Sequence, residues 1–245
     1  MTGEPSLQGG ILAAGAGTRL RHAGWTMPKP LVPVAGAPLI ERVIRNFRAA
    51  GIGSLVIILN DQERECVRWV QERFPDLHVR FIVKTTRSSL ESFLEVTNAI
   101  APGRALISTV DAWCPEPDFV KFVEAARRLP SEAVVLGVTP FVADERPFWV
   151  SLDGAGRVTR LGERAGELVT AGVYLVPQRV AMFSPPPGLG SLREFLVWVL
   201  AQGGPVYGVV IPTVVDVDRA EDVALAEAMA HRAAQEARTP PGGVA

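Results

Sequence analysis

Short runs made almost wholly of apolar residues alternate with amphipathic segments along nearly the whole chain, and this alternation restricts the fold more than any other feature. The first run, Gly9-Gly10-Ile11-Leu12-Ala13-Ala14, is continuous and bounded by glycine, as a buried parallel strand is. Residues 39–50 then put Leu39, Ile40, Val43, Ile44 and Phe47 on one helical face, with Gly51 placed to end it. The unit repeats. Residues 55–59 read as a strand, 61–74 as a helix with Asp61 as its N-cap, and 79–83 as the next strand. Ser88-Ser89-Leu90-Glu91 has the form of a capping box opening a helix to about residue 100, and the strand 105–110 follows. Asp111 therefore falls at the carboxyl end of a central strand.

The second half departs from strict repetition. Residues 119–129 read as a helix and 133–138 as a strand, but 148–152 and 157–161 flank Asp153-Gly154-Ala155-Gly156, a hairpin signal. After a strand at 168–176, Ser191-Leu192-Arg193-Glu194 forms a second capping box, and 206–211 leads into Val214-Val215-Asp216. An alanine-rich helix over 218–238, for which Asp218 is the natural N-cap, precedes the tail 239–245, expected to be flexible from Pro240-Pro241-Gly242-Gly243. No repeat or linker divides the chain, so 1–238 is expected to be one domain. The class is α/β, a mainly parallel mixed sheet flanked by helices and carrying a hairpin insert. In such folds ligands gather beyond the carboxyl ends of the strands: here residues 15–19, 85–89, 111–113 and Asp216.

Charge excludes several functions. Lys and Arg total 25 against 26 Asp and Glu, a net charge of −1, so no global basic field holds nucleic acid or an anionic membrane. Any anion must be caught locally. Only Lys29, Lys84 and Lys121 are lysines, which makes each worth inspection. Cys66 and Cys114 make no disulfide framework, and His22, His78 and His231 are too scattered for a zinc site. With neither a leader pattern nor an apolar run of roughly 18 residues, the expectation is a soluble cytoplasmic protein. The sequence sets no oligomeric state.

The loop after the first strand, Gly15-Ala16-Gly17-Thr18-Arg19-Leu20, has side chains small enough for backbone amides to approach a phosphate. Leu20 stands where a dinucleotide fingerprint has its third glycine, and no Gly-Lys-Ser/Thr of a Walker loop is present. Arg19 inside the loop and Pro28-Lys29-Pro30-Leu31 soon after it supply two cations, the second on a backbone stiffened by proline on both sides. The stretches Gly10-Ile11-Leu12-Ala13-Ala14-Gly15-Ala16-Gly17-Thr18-Arg19-Leu20 and Pro28-Lys29-Pro30-Leu31-Val32-Pro33-Val34 resemble the N-terminal signature of the nucleotidyltransferase superfamily that includes sugar-1-phosphate nucleotidylyltransferases. Val110-Asp111, Thr170-Ala171-Gly172-Val173-Tyr174 and Val215-Asp216-Val217-Asp218 are similar to its later motifs, in order.

The resemblance implies a Rossmann-like, GT-A type nucleotidyltransferase fold and Mg²⁺-dependent transfer of a nucleotidyl group from a nucleoside triphosphate to a sugar-1-phosphate or similar phosphomonoester, with release of pyrophosphate. It assigns Arg19, Lys29 and Asp111 to catalysis and Asp111 and Asp216 to the metal. The nucleotide would lie against Leu12, Ala13, Ala14, Gly15, Gly17 and Thr18, with Thr86 and Ser89 beside the base. Glu163, Arg164 and Gly172 would meet the phosphorylated acceptor. The acceptor is already an anion near neutral pH, which suits a sequence without a recognisable base–nucleophile pair. Three departures matter: Gly162-Glu163-Arg164-Ala165 replaces a Glu-Lys-Pro, no glycine stands in Thr85-Thr86-Arg87-Ser88, and the second aspartate is spelled Asp-Val-Asp. The last spelling keeps open a cytidylyltransferase acting on inositol phosphate or phosphocholine. Transfer to a molybdopterin-type cofactor, and a non-catalytic regulator that binds nucleotide-sugars, are the remaining alternatives; such regulators typically lose the aspartates or the loop arginine, all retained here.

Overall fold

The computed structural model describes residues 7–141, 146–162, 166–177, 180 and 185–236. Glu163 and Arg164, the tail 239–245 and the last residues assigned to the final helix lie outside them. Four strands, β1 (Gln8–Ala13), β4 (Ser54–Leu59), β5 (His78–Val83) and β6 (Ala105–Thr109), form a parallel half-sheet in the order β6-β1-β4-β5, with the short antiparallel pair β2 (Pro33–Val34) and β3 (Ala37–Pro38) standing apart from it. The near-continuous burial of β1, β4 and β6 follows from helices covering both faces, whereas the edge strand β5 leaves His78 and Arg80 exposed. One face is packed by α2 (Leu39–Ala49), α3 (Glu65–Arg73), α5 (Glu116–Arg127) and α7 (Ala220–Glu236), through residues such as Phe47, Val70, Phe122 and Val223. The other is packed by α4 (Ser89–Ala99) and α6 (Leu192–Ala201), where Phe93 and Phe195 sit with ring centroids 5.9 Å apart. Both helices show the serine half of the capping box, Ser88 Oγ accepting from the Glu91 amide and Ser191 Oγ from the Glu194 amide, while the glutamate side chains accept from the preceding Arg87 and Gly190 amides.

The antiparallel half is built on β11 (Leu168–Val176), which pairs along one side with β9 (Trp149–Leu152) at its start and with β6 at its end, and along the other side with β8 (Val134–Thr139). The hairpin partner β10 (Val158–Leu161) extends this edge, and β12 (Val206–Val210) joins β8 in parallel. Between Thr170 and Tyr174 the β11–β8 register slips: four steps along β11 match two along β8. Gly172 lies in this irregularity at φ 68°, the left-handed region. A Cβ there would stand 2.6 Å from Thr109 Oγ1 and 3.0 Å from the Ala112 methyl. Glycine is therefore required both by backbone conformation and by space.

Two expectations are corrected. The helix expected from Asp61 starts four residues later, because Asn60 and Asp61 are spent on a turn: Asn60 Oδ1 accepts from the Gln62 amide, and the Asp61 carboxylate takes the Thr85 hydroxyl. Asp218 does not cap the last helix either. Asp222, only 4% exposed, reaches back so that its Oδ2 accepts from the Asp218 and Arg219 amides at 3.0 and 2.8 Å, leaving the Asp218 carboxylate to turn elsewhere.

Candidate active site

The carboxyl ends of β1, β4, β5 and β6 open on one edge of the sheet, and the side chains singled out in the described sequence meet there. The backbone leaves β1 through Gly15 and enters the short helix α1 (Thr18–His22) with Gly17 as its N-cap, at φ 59°. A Cβ on Gly17 would press to 2.9 Å against the Lys29 Cβ, so the loop closes directly over the lysine. Lys29 opens a single 3₁₀ turn, Lys29–Leu31, between its two prolines and is 6% exposed. It is not the solvated lysine of a polyproline-like turn.

Two short strands bring the acidic side chains in. β7 (Ala112–Trp113) pairs antiparallel with β13 (Val215–Asp216), placing Asp216 opposite Ala112, and the Val217 amide donates to the Asp111 carbonyl at 3.0 Å. Lys29 Nζ donates to Asp111 Oδ2 at 2.5 Å and to Asp218 Oδ1, while Arg19 Nη1 donates to Asp218 Oδ2 at 2.9 Å. Burial would lower the Lys29 pKa, but the carboxylates of Asp111, Asp218 and Asp216 outweigh it and hold the ammonium above its ordinary range. Burial likewise works against the charged form of Asp111, yet the Lys29 charge, its hydrogen bond and one from the Thr109 hydroxyl keep that carboxyl below its usual value.

Asp111, Asp216 and Asp218 each present an oxygen, and these oxygens lie within 4.8 Å of one another. Hard, anionic oxygens at this spacing suit Mg²⁺, which takes such ligands at about 2.0–2.1 Å and retains waters for the rest. The ammonium already seated among them marks a position where positive charge is stabilised. The donor set fits the ion.

Two cavities flank the cluster and share Ser89, Thr109, Asp111 and Leu192 in their walls. The first, about 360 Å³, runs from Leu12, Ala14, Gly15 and Lys29 to Thr86 and Ser92. Ala13 points the other way, into the core, and Gly17 and Thr18 are not among its lining residues. The second, about 180 Å³, is walled by Thr139, Phe148, Thr170, Gly172, Tyr174, Arg193 and Asp216. Ser89 Oγ accepts from the Leu192 amide at 3.0 Å, so the N-termini of α4 and α6 are tied together at the partition between them. Burial raises the Tyr174 phenol pKa above its ordinary range, so it faces this cavity neutral.

Four features here are not evident in the sequence. Asp218 bridges both cations, and Ser89 ties the two helices. The Arg193 guanidinium lies 5.5 Å from the Phe148 ring centroid, held by a 2.7 Å bond from Nη1 to the Arg146 carbonyl. Glu63 is 2% exposed with neither carboxylate oxygen hydrogen-bonded among the described residues; Arg21 Nη2 stands 3.6 Å off. Burial pushes its pKa up to about 7 despite Arg21. Only the Asp-Val-Asp spelling hinted at any of this.

The family model described as the MobA-like NTP transferase domain matches residues 9–177. A bifunctional IPC transferase and DIPP synthase from Rubrobacter xylanophilus is 30% identical over 253 aligned positions, covering 93% of this chain and 53% of that protein. A mannose-1-phosphate guanyltransferase from Yarrowia lipolytica is 26% identical over 182 positions, 69% of this chain and 49% of that one. The chain thus spans about half the length of these curated relatives. The structure of an inositol-1-phosphate CTP transferase from T. maritima has the same fold, with a TM-score of 0.78 at 19% identity over 93% of this chain and 96% of that one. No helix among the described residues is long and apolar enough to cross a membrane.

Proposed function

Because the chain belongs to the MobA-like NTP transferase domain family, we propose that it transfers a nucleotidyl group from a nucleoside triphosphate to the phosphate of a phosphorylated sugar or polyol, releasing pyrophosphate and requiring Mg²⁺. The observation that carries this reading is the pair of cavities meeting at one charged partition. A triphosphate in the larger would reach Lys29 and Asp111, and an acceptor phosphate in the smaller would reach the same partition from the opposite side. That opposition suits in-line displacement, in which an acceptor oxygen bonds to the α-phosphorus as its bond to the leaving pyrophosphate breaks.

Lys29, kept charged at any working pH, neutralises the oxygens around the reacting phosphorus, and Arg19, on the rim, takes the departing pyrophosphate. No side chain need remove a proton, since the attacking oxygen is already anionic. A divalent ion held by Asp111 and Asp216, with Asp218 in reach, would supply further charge neutralisation on the phosphates. Leu12, Ala14 and Gly15 offer backbone and small side chains to the nucleoside, while Thr86 and Ser89 edge the base. Gly172 lets β11 approach the partition closely enough to serve as a wall for the acceptor. We place Glu163 and Arg164 on the acceptor side from their sequence position alone.

Within this reading, a polyol such as inositol phosphate is favoured over phosphocholine, because the Phe148 face that could receive an ammonium already carries Arg193. The test is pyrophosphate release with Mg²⁺, each of the NTPs and dTTP, and a panel of sugar, inositol and choline phosphates. Turnover on at least one pair is expected; silence on every pair, with tight binding of a finished nucleotide-sugar, would instead indicate the regulatory alternative.

A further inference from the structure

Arg19 and Lys29 both direct donors at one carboxylate. Asp218 accepts from Arg19 through Oδ2 and from Lys29 through Oδ1, spanning the two cations as a pair of phosphate oxygens would. Its backbone does not depend on that contact. Asp222 holds the Asp218 and Arg219 amides, and the Val217 amide is bonded to Asp111, so the carboxylate can leave the cations by side-chain rotation alone. The exposures fit such an exchange: the side chains of Arg19 and Asp218 are 45% and 38% exposed, whereas that of Lys29 is 6% exposed and remains bonded to Asp111.

We propose that Asp218 is an internal competitor of the triphosphate for Arg19 and Lys29, and that it thereby sets against binding of the metal-free triphosphate. The proposal rests on the reading above that these two cations serve the triphosphate. Phosphate oxygens reaching the cations must displace the carboxylate, and the displaced carboxylate stays beside them as a like charge. Because it also stays within reach of Asp111 and Asp216, a divalent cation in that cluster relieves the repulsion. Asp218 thus couples the two ligands: it weakens the triphosphate alone more than the triphosphate accompanied by the ion.

The experiment is titration calorimetry of the full chain with inorganic tripolyphosphate at low ionic strength, in EDTA and in Mg²⁺, on the wild type, Asp218→Asn and Asp216→Asn. In EDTA, Asp218→Asn is expected to bind about fivefold to tenfold more tightly than the wild type, within the range usual for coupled ligands. The further gain on adding Mg²⁺ should be smaller than the wild type's. Asp216→Asn removes the same charge from the same cluster and should tighten metal-free binding less. An affinity of Asp218→Asn in EDTA that is unchanged or weaker, a gain no larger than that of Asp216→Asn, or no tripolyphosphate binding by any of the three would overturn the proposal. If Asp218→Asn does not give a cooperative melt, Asp218→Ser carries the same expectation. The assay involves no turnover. A protein that shows the calorimetric difference but transfers no nucleotide loses the proposed function and keeps the competitor, and one that turns over without the difference does the reverse.

Discussion

The Lys29 ammonium donates to the Asp111 carboxylate across 2.5 Å although 82 positions separate them along the chain. The contact forms because the loop after β1 folds Lys29 beneath Gly17 while β6 delivers Asp111 at its carboxyl end. Asp111→Asn keeps the shape and one accepting oxygen but removes the charge. We expect its pyrophosphate release to fall by on the order of 10²–10³-fold, with the far-UV circular dichroism spectrum unchanged. Lys29→Met should lose as much activity and also melt at lower temperature, since it removes the buried ammonium from beside Asp111, Asp216 and Asp218 and leaves Arg19 to pair with Asp218 alone. A fully active Asp111→Asn protein would rule out that residue's part in the chemistry.

Gly172 is held at φ 68° with its missing Cβ aimed at Thr109. Gly172→Ala must either distort the β11 irregularity or push Thr109 away from Asp111. A stability loss of about 1–3 kcal/mol is expected from urea unfolding, accompanied by a higher KM for the acceptor. An alanine variant as stable as the wild type would show that the bulge absorbs a methyl group.

Glu63 should make stability pH-dependent in a direction unusual for a carboxylate. Its pKa rises from 4.5 to about 7 through burial, so the folded protein holds the proton more tightly than the unfolded chain. The resulting stabilisation is fully present below pH 4.5 and is lost as pH rises through about 7. Relative to Glu63→Gln, the wild type should lose on the order of 3 kcal/mol across this window, read as a divergence of Tm values between pH 5 and pH 8. Parallel Tm curves would mean that Glu63 is ionised throughout.

Arg193 stacked on Phe148 predicts discrimination by acceptor charge. Phosphocholine should react at least about tenfold less efficiently than inositol phosphate in kcat/KM, a difference of ~1.4 kcal/mol, and Arg193→Gln should narrow the gap. Equal use of both acceptors by the wild type would remove Arg193 as the source of selectivity.

Local signals carried much of the architecture. Ser88 and Ser191, each followed three residues later by glutamate, marked two helix starts that the structure caps as anticipated. Asp153-Gly154-Ala155-Gly156 marked the hairpin, because few other residues tolerate the backbone such a turn needs. The loop glycines and the proline-flanked lysine were legible for the same reason: each has a narrow conformational meaning within its own few residues. Asp61 and Asp218 misled because both satisfy the local pattern of an N-cap, and tertiary partners, Thr85 in one case and Arg19 with Lys29 in the other, won the side chain. Arg193 and Phe148 were beyond reach of pattern reading, since their meeting depends on how α6 settles against the strands.

Among the described residues, the hairpin β9–β10 joins the parallel half of the sheet by way of β11, while Arg19, Lys29 and Asp111 all leave the parallel half or its loops. The two cations and Asp111 thus stand on one part of the frame and the β9–β10 hairpin on another. In the proposed reaction, acceptor preference would be retuned at Phe148 and along β11, which wall the smaller cavity, without rewriting the loop that carries Arg19 and Lys29.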